Sequence, residues 1–419
     1  MPIRSVLAAA LLALTACQTA PPVTRPPNVV LIISDDQAWG DFGFMGHPVI
    51  RTPHLDRLAT QSAVFPRGYV PSSLCRPSLA TMITGLYPHQ HKITGNDPPK
   101  GVPRERMLKH IETVPTLPKL LAPRGYQSLQ TGKWWEGNCL CGGFTAGMTH
   151  GEPARGGRHG DDGLRIGRET MQPIFDFVAA CGEAPFFLWY APILPHTPHN
   201  PPERILARYR APDRSAHIAR YFAMCEWFDE TCGQLLDHLA ERGLAENTIV
   251  LFVTDNGWIQ QPQGTGYAPR SKRSPYEGGV RTPIMIRWPG RVAPGVREAL
   301  VSSVDLAPTV LRASGAAVPE GLPGEDLVAI ASRAEPARAA VFGEIFAHDV
   351  ADIDDPARSL LFRWMVAGRW KLIVPTEPGA EAELYDIVAD PAELQDRANE
   401  LPAQVNELRA ALDAWWAGS

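Results

Sequence analysis

The chain has 419 residues, 44% hydrophobic and 20% charged, the balance of a folded protein with a large core, so a disordered or fibrous chain is excluded. A formal net charge of −5 offers no basic surface to a nucleic acid. The 41 prolines and 36 glycines are spread along the chain, which describes an ordered, loop-rich fold without low-complexity tracts or internal repeats.

At the N-terminus Arg4 precedes an apolar run, Val6 to Leu14, too short to span a bilayer as a helix. Leu14-Thr15-Ala16-Cys17 follows it and resembles a bacterial lipobox. Residues 1–17 therefore read as a lipoprotein-type signal peptide and 18–27, rich in Pro and Thr, as a tether. The expectation is an exported, periplasmic protein held to a bacterial membrane, the outer one, by a lipid on Cys17. Plain secretion after a small residue is the alternative.

Asn28 to Ser34 is a continuous apolar run, as expected of a strand buried on both faces of a parallel sheet. It ends in Asp35-Asp36. Ligands bind at the carboxyl ends of strands in open α/β sheets, and paired carboxylates there are costly unless they hold a cation or catalyse. A solvated loop pair is the competing reading. Thr52 and Pro53 start a helix. In Pro71 to His91, Cys75 lies in a Ser/Pro-rich turn ahead of a short helix that Gly85 closes. A helix N-terminus lowers a thiol's pKa, so Cys75 is a candidate nucleophile or modification site, with a small buried cysteine as the alternative.

Helical spacing is expected over 114–122 and a short strand over 125–130, directly before Thr131-Gly132-Lys133-Trp134-Trp135-Glu136-Gly137. Residues 138–168 read as a long loop, and helical spacing extends over 162–180. Pro185 to Tyr190 is a third buried strand that leads to His196 and His199. Tyr221 to Arg242 is an amphipathic helix stopped by Gly243. Thr248 to Thr254 is a fourth buried strand, ending in Asp255-Asn256-Gly257.

The first and fourth strands thus share one pattern, an apolar run that delivers hard oxygen ligands. Asp35, Asp36, Asp255 and Asn256 suit Ca²⁺ or Mg²⁺, although Asp-Asn-Gly is also plain turn chemistry. Ile284 to Gly290 continues as strand and turn, and a Pro/Glu/Ala-rich passage over 315–340 marks a domain boundary. Beyond it, 364–374 and 384–386 read as antiparallel strands and 401–416 as a terminal helix. The fold class expected is α/β: a large, mostly parallel sheet with helices on both faces over 28–320, and a smaller α+β domain over 335–419. Of seven cysteines, setting aside Cys17 and Cys75 leaves five, an odd number that predicts no disulfide framework.

Several segments resemble the sulfatase family. Cys75-Arg76-Pro77-Ser78 with Thr84-Gly85 is similar to its signature C-x-P-S-R followed by L-T-G, and 131–137 is similar to T-G-K-W-H-L-G. Pro195-His196-Thr197-Pro198 is similar to P-H-x-P, and Lys272 to Pro283 to K-x-x-x-Y-E-G-G-x-R-x-P. Glu383-Leu384-Tyr385-Asp386 with Asp390-Pro391 resembles sulfatase C-terminal domains. The resemblance implies a sulfuric ester hydrolase whose nucleophile is a hydrated formylglycine made from Cys75 by a maturation enzyme. It implies Lys133, His196 and Lys272 as catalytic residues, and Asp35, Asp36, Asp255 and Asn256, with residue 75, around one divalent metal, Ca²⁺ ahead of Mg²⁺. Arg76, Trp135 and Arg281 are candidates for substrate binding, the substrate being a sulfated glycan or small molecule.

Two positions depart from the family. Leu79 stands where it has an arginine that holds the nucleophile, and Trp135 stands where it has a histidine that serves as base. Arg76 points about 100° away from that arginine's direction on a helix, and Glu136, His150 and His159 are candidate replacements for the base. A phosphoester or phosphonate hydrolase of the same superfamily and a non-catalytic glycan-binding member are the alternative functions.

Overall fold

The computed structural model describes residues 25–333 and 338–418; the signal peptide and Cys17 lie outside them. Nine strands form the main sheet: β1 Asn28–Ser34, β2 Ala63–Tyr69, β3 Gln127–Gly132, β4 Ala146–Gly147, β5 Phe186–Ala191, β6 Thr248–Thr254, β7 Arg281–Arg287, β8 Gly295–Val296 and β9 Val301–Ser302. Their order is β4-β3-β5-β1-β6-β7-β2-β8, with β9 also paired to β2. Every pairing is parallel except those of β7 with β6 and β2. This is the mostly parallel α/β sheet expected.

The period of two along β1 divides the core. Val29, Leu31 and Ile33 pack on one face with Leu79 and Ile83 of the helix Cys75–Thr84 and Leu306 and Val310 of the helix Leu306–Ser314. Val30 and Ile32 pack on the other with Met224, Phe228, Cys232 and Leu235 of the long helix Ala216–Glu241. Both faces are covered, which is why the strand reads as unbroken apolar residues.

The helix expected over 162–180 is shorter in the structure. Only Gln172–Cys181 is helical, preceded by a tight turn over Asp161–Arg165. Gly167 has φ +74°, and a side chain there would also press on the Tyr190 hydroxyl and Pro192, so the chain must break before Pro173 can open a helix.

A second, antiparallel sheet is built from β10 Ala340–Phe346, β11 Leu360–Ala367, β12 Trp370–Pro375 and β13 Glu383–Asp386, in that order. The terminal helix Pro402–Trp415 covers one face through Leu408 and Leu412. The other face packs Trp364, Val366, Ile373 and Tyr385 onto Tyr69, Val280 and Leu300 of the main body. Strand β10 escaped the sequence reading because Gly343 interrupts it. Glycine is required there, since a Cβ would overlap the Trp364 ring and the Pro71 carbonyl. Between the sheets Lys371 is fully buried, 3.0 Å from both Glu277 and Glu393.

Candidate active site

β1 and β6 run side by side in register from Asn28 opposite Thr248 to Ser34 opposite Thr254. The residues that follow them, Asp35-Asp36 and Asp255-Asn256, are therefore delivered together. The Asp36 amide donates to Asp255 Oδ1 at 3.0 Å, and Asn256 Nδ2 donates to Asp36 Oδ1 at 2.7 Å. Asp36 has φ +62°, a left-handed backbone that few non-glycine residues adopt, and it is held there by contacts on both sides. Gly132 ends β3 at φ +77°; a Cβ there would fall 1.8 Å from the Ala191 carbonyl oxygen of β5. That close approach aims Lys133 into the same cluster.

Cys75, 1% exposed, opens its helix at the centre of these groups. Lys133 Nζ stands 3.2 Å and Lys272 Nζ 3.1 Å from its Sγ. Lys133 is also paired with Asp35 Oδ1 at 2.7 Å, Lys272 with Asp36 Oδ1 at 2.5 Å, and His196 Nε2 lies 3.4 Å from Asp36 Oδ2. The sequence expectation of a depressed thiol pKa is corrected here. Burial pushes the Cys75 thiol up to about 12, outweighing the opposing pull of the two lysine charges. The same burial works against charge on Lys133 and Lys272, yet the aspartates and the Cys75 group hold both ammonium groups above their ordinary range. Burial also opposes ionisation of Asp36, but Lys272, His196 and Lys133 keep it well below the usual carboxylate range. Asp255, pressed by burial and by Asp35, is raised.

Four buried oxygens in this cluster lack a hydrogen-bond partner: Asp35 Oδ2, Asp36 Oδ2, Asp255 Oδ2 and Asn256 Oδ1. Each belongs to one of the four residues singled out as metal ligands. Orphaned buried carboxylate oxygens are expensive, and a hard divalent cation is the group that relieves four at once, so the donor set fits such an ion. Ligating atoms of Asp35, Asp36, Cys75 and His196 lie within 4.8 Å of one another.

A cleft of about 250 Å³ opens over Cys75, lined by Asp36, Lys133, Trp135, His196, Trp258 and Lys272 among others. Two of the three candidate substrate-binding residues lie elsewhere. Arg76 is 1% exposed, and its guanidinium is used up by two bonds of 2.7 Å to Glu136 and by the Gly95 and Met107 carbonyls. Arg281 stacks over Trp39 at 3.9 Å and bonds to Glu277 and Pro66 O. Both are corrections with one cause: a neighbouring element supplies partners that sequence spacing does not reveal.

Leu79, 4% exposed, faces the apolar core instead of the cleft. Of the three residues considered as a base, Glu136 is consumed by Arg76 and His150 is exposed at the surface. His159 lines the cleft, its ring 5.2 Å from that of Trp135, and its Nδ1 is buried without a partner. Burial, then the Lys133 charge, push its pKa down to about 4. The sequence reading gave no role to Asn96, Arg158, Tyr267, Arg273 and His348, which also line the cleft; Arg273 fills an unspecified position of the Lys272 motif, and the others come from separate loops that carry no motif.

The sulfatase family model matches residues 27–316, well over half of the chain. This chain belongs to the sulfatase family. The C-terminal model of N-sulphoglucosamine sulphohydrolase matches residues 267–414. Human arylsulfatase A is 34% identical over 355 residues, covering 73% of this chain and 68% of its own length. Human N-acetylgalactosamine-6-sulfatase is 31% identical over 337 residues, covering 70% of this chain and 63% of its own, so the chain spans less than two thirds of that relative. The solved structure of Ps i-CgsB shares the fold, with a TM-score of 0.77 at 24% identity over 94% of both chains. Family membership makes the protein an enzyme of the sulfatase class.

Because Arg76 is spent on Glu136, Arg76→Ala should act on stability first. It strands a buried carboxylate, at a cost of about 3–5 kcal/mol, and the double variant Arg76→Met, Glu136→Leu should recover most of that in denaturant titrations. An Arg76→Ala protein as stable as wild type, with only KM raised, would restore Arg76 to the substrate.

Proposed function

We propose that the protein hydrolyses the sulfate ester of a carbohydrate or aryl alcohol, with residue 75 as formylglycine and one divalent metal, Ca²⁺ ahead of Mg²⁺. The observation that carries this reading is the convergence of two lysines on residue 75 beside four orphaned oxygens. Ca²⁺ is preferred because the donors come from two strand ends, an irregular set that Ca²⁺ tolerates and octahedral Mg²⁺ does not. A sulfated glycan is the preferred substrate by analogy with the named specificity of N-acetylgalactosamine-6-sulfatase, an argument from kinship.

In the structure residue 75 is a cysteine, whose Sγ marks the place of the formylglycine oxygens. A thiol raised to about 12 is no thiolate at neutral pH, which favours an oxygen nucleophile at that position. Hydrated formylglycine supplies such a hydroxyl, and the metal when bound supplies Lewis-acid neutralisation of a sulfate oxygen. Lys133 and Lys272 are fixed point charges for the remaining anionic oxygens, preorganised by their aspartates, so little reorganisation is needed as charge develops.

Lys272 holds a proton at neutral pH and is our donor to the departing alcohol oxygen. His196 donates through Nδ1 to the Thr197 carbonyl at 2.7 Å, and burial and Lys133 favour its neutral form, which leaves Nε2 an acceptor facing Asp36. His159 takes the part of the missing histidine as base for release of sulfate, with the Trp135 ring packed beside it, tilted, at 5.2 Å. The maturation enzyme would have to accept Leu79 in place of the family arginine. Export and lipidation at Cys17 remain part of the proposal on the strength of the N-terminal pattern.

Mass spectrometry of the residue-75 peptide from native protein should show the aldehyde, and Cys75→Ala should abolish release of sulfate from 4-nitrophenyl sulfate. Unmodified cysteine throughout, or faster cleavage of 4-nitrophenyl phosphate than of the sulfate, would sink this function.

Adding Ca²⁺ to chelated protein should raise Tm by the equivalent of about 2–3 kcal/mol at a hundredfold excess over Kd. Asp36→Ala and Asn256→Ala should remove that rise; a rise that survives both places the ion elsewhere.

For His159→Gln, kcat should fall by at least about 100-fold, with one rapid equivalent of nitrophenol before the slow steady state. The base form of His159 exists above its pKa of about 4, so wild-type kcat should decline below that pH and the variant should lose this limb. An unchanged kcat and pH profile would clear His159 of the role.

A further inference from the structure

The mouth of the cleft carries more positive charge than a single sulfate group requires. Arg158, Asn96 and His348 line it, as does Arg273, which follows Lys272 directly. Asp97 neutralises this rim and is heavily shared. Its carboxylate takes Arg158 through Nε, at 2.9 Å, and through Nη2; it also takes Arg104 Nη1 at 3.2 Å and lies 3.7 Å from His348 Nδ1, whose closer partner is Asp349 at 2.6 Å. Glu136, the next carboxylate inward, is saturated by Arg76. Arg158 Nη1 thus has no partner among the described residues, and its guanidinium lies 4.9 Å over the Trp135 ring, a fixed platform.

Arg273 is the charge left over. It is exposed, and among the described residues it has no carboxylate partner. Its backbone is left-handed, φ +65°, and is pinned there by its amide's 2.8 Å bond to the Ser73 carbonyl, two residues before Cys75. A flexible surface arginine needs no such anchoring. This one is fixed between the nucleophile's own turn and the lysine that touches residue 75, with its side chain lining the cleft.

We propose that Arg273 and Arg158 bind a second anionic group on the substrate, a carboxylate or a further sulfate on the sugar that carries the scissile ester. The inference rests on the sulfate-ester reading above and adds its substrate class: a doubly anionic sugar unit, such as a uronate monosulfate or a hexosamine disulfate. The Arg273 guanidinium fork matches both groups, since each presents paired oxygens in the geometry that arginine recognises, while Arg158, held by Asp97 through Nε and Nη2, offers Nη1. A cleft of about 250 Å³ is at the small end for a ligand site and suits one sugar ring with its substituents.

The test is binding, measured by calorimetry on full-length Cys75→Ala protein loaded with Ca²⁺, so that turnover does not intervene. The probes are galactose monosulfate, glucosamine disulfate and glucuronate monosulfate. With Arg273 present, at least one doubly anionic probe should bind more tightly than galactose monosulfate, and the Arg273→Ala exchange should cut that ratio of affinities about 10-fold or more. Arg273→Gly, which suits the left-handed backbone, should do the same and guards against a folding defect. Loss confined to the disulfate probe identifies the group as sulfate, and loss confined to the uronate as carboxylate. A ratio near one with Arg273 present, a ratio that both substitutions leave unmoved, or an equal loss for all three probes overturns the proposal. Sulfate release plays no part in this readout. A protein that discriminates the probes yet cleaves no sulfate ester therefore fails the function and keeps the subsite.

Discussion

Three aspartates and two lysines share a buried space at the carboxyl ends of β1, β3 and β6, and much of the architecture follows from keeping them together. Each charge alone would cost several kcal/mol to bury. Lys133 against Asp35 and Lys272 against Asp36 offset part of that cost, at 2.7 and 2.5 Å. The pairs do not close the account: four oxygens stay unpaired, and Asp255 is pushed toward its neutral form. A site left short of positive charge in this way is one built to receive a cation. Parallel pairing of β1 with β6 is what makes it possible, because only parallel neighbours present both carboxyl ends on the same edge.

Around that centre Leu79 and Trp135 are placed differently. At Leu79 the helix turns an apolar side chain into the core, where it packs against the sheet. At Trp135 the loop after β3 presents an indole that three cations approach, from Lys133, Arg104 and Arg158, and beside which the His159 ring lies tilted. Arg76, from the helix that Cys75 opens, and Glu136, from the loop after β3, are joined by a buried bidentate pair. These two segments are therefore one structural unit: the helix of Cys75 is tied to the loop that carries Lys133.

The small C-terminal sheet is coupled to the site by charge as well as by packing. Lys371 on β12 reaches across to Glu277, which also receives the Tyr69 hydroxyl, while Glu393 accepts from the Glu277 amide. Glu277 lies five residues after Lys272, so the segment that carries this lysine is clamped from the far side. An ion network this dry sets the segment's position because any displacement would leave a buried charge unpartnered.

Much of this was legible in the chain itself. Strands buried on both faces must be apolar throughout, so β1, β5 and β6 announce themselves, and what lies just past them, Asp35-Asp36 and Asp255-Asn256, is conspicuous because strands of that kind deliver ligands. The helix expected over 221–242, which the structure starts at Ala216, and the terminal helix follow equally from period and stops. What the tertiary structure alone decided is who is whose partner. Arg76 and Arg281 look like substrate arginines until Glu136, Trp39 and Glu277 occupy them; His159 is one of three equal candidates and Arg273 a residue without a role until the fold sets both in the cleft lining with residue 75. Even the thiol's pKa turned on this. The helix N-terminus is a local feature that a sequence displays, whereas burial depends on every layer packed around Cys75, and burial was the larger effect.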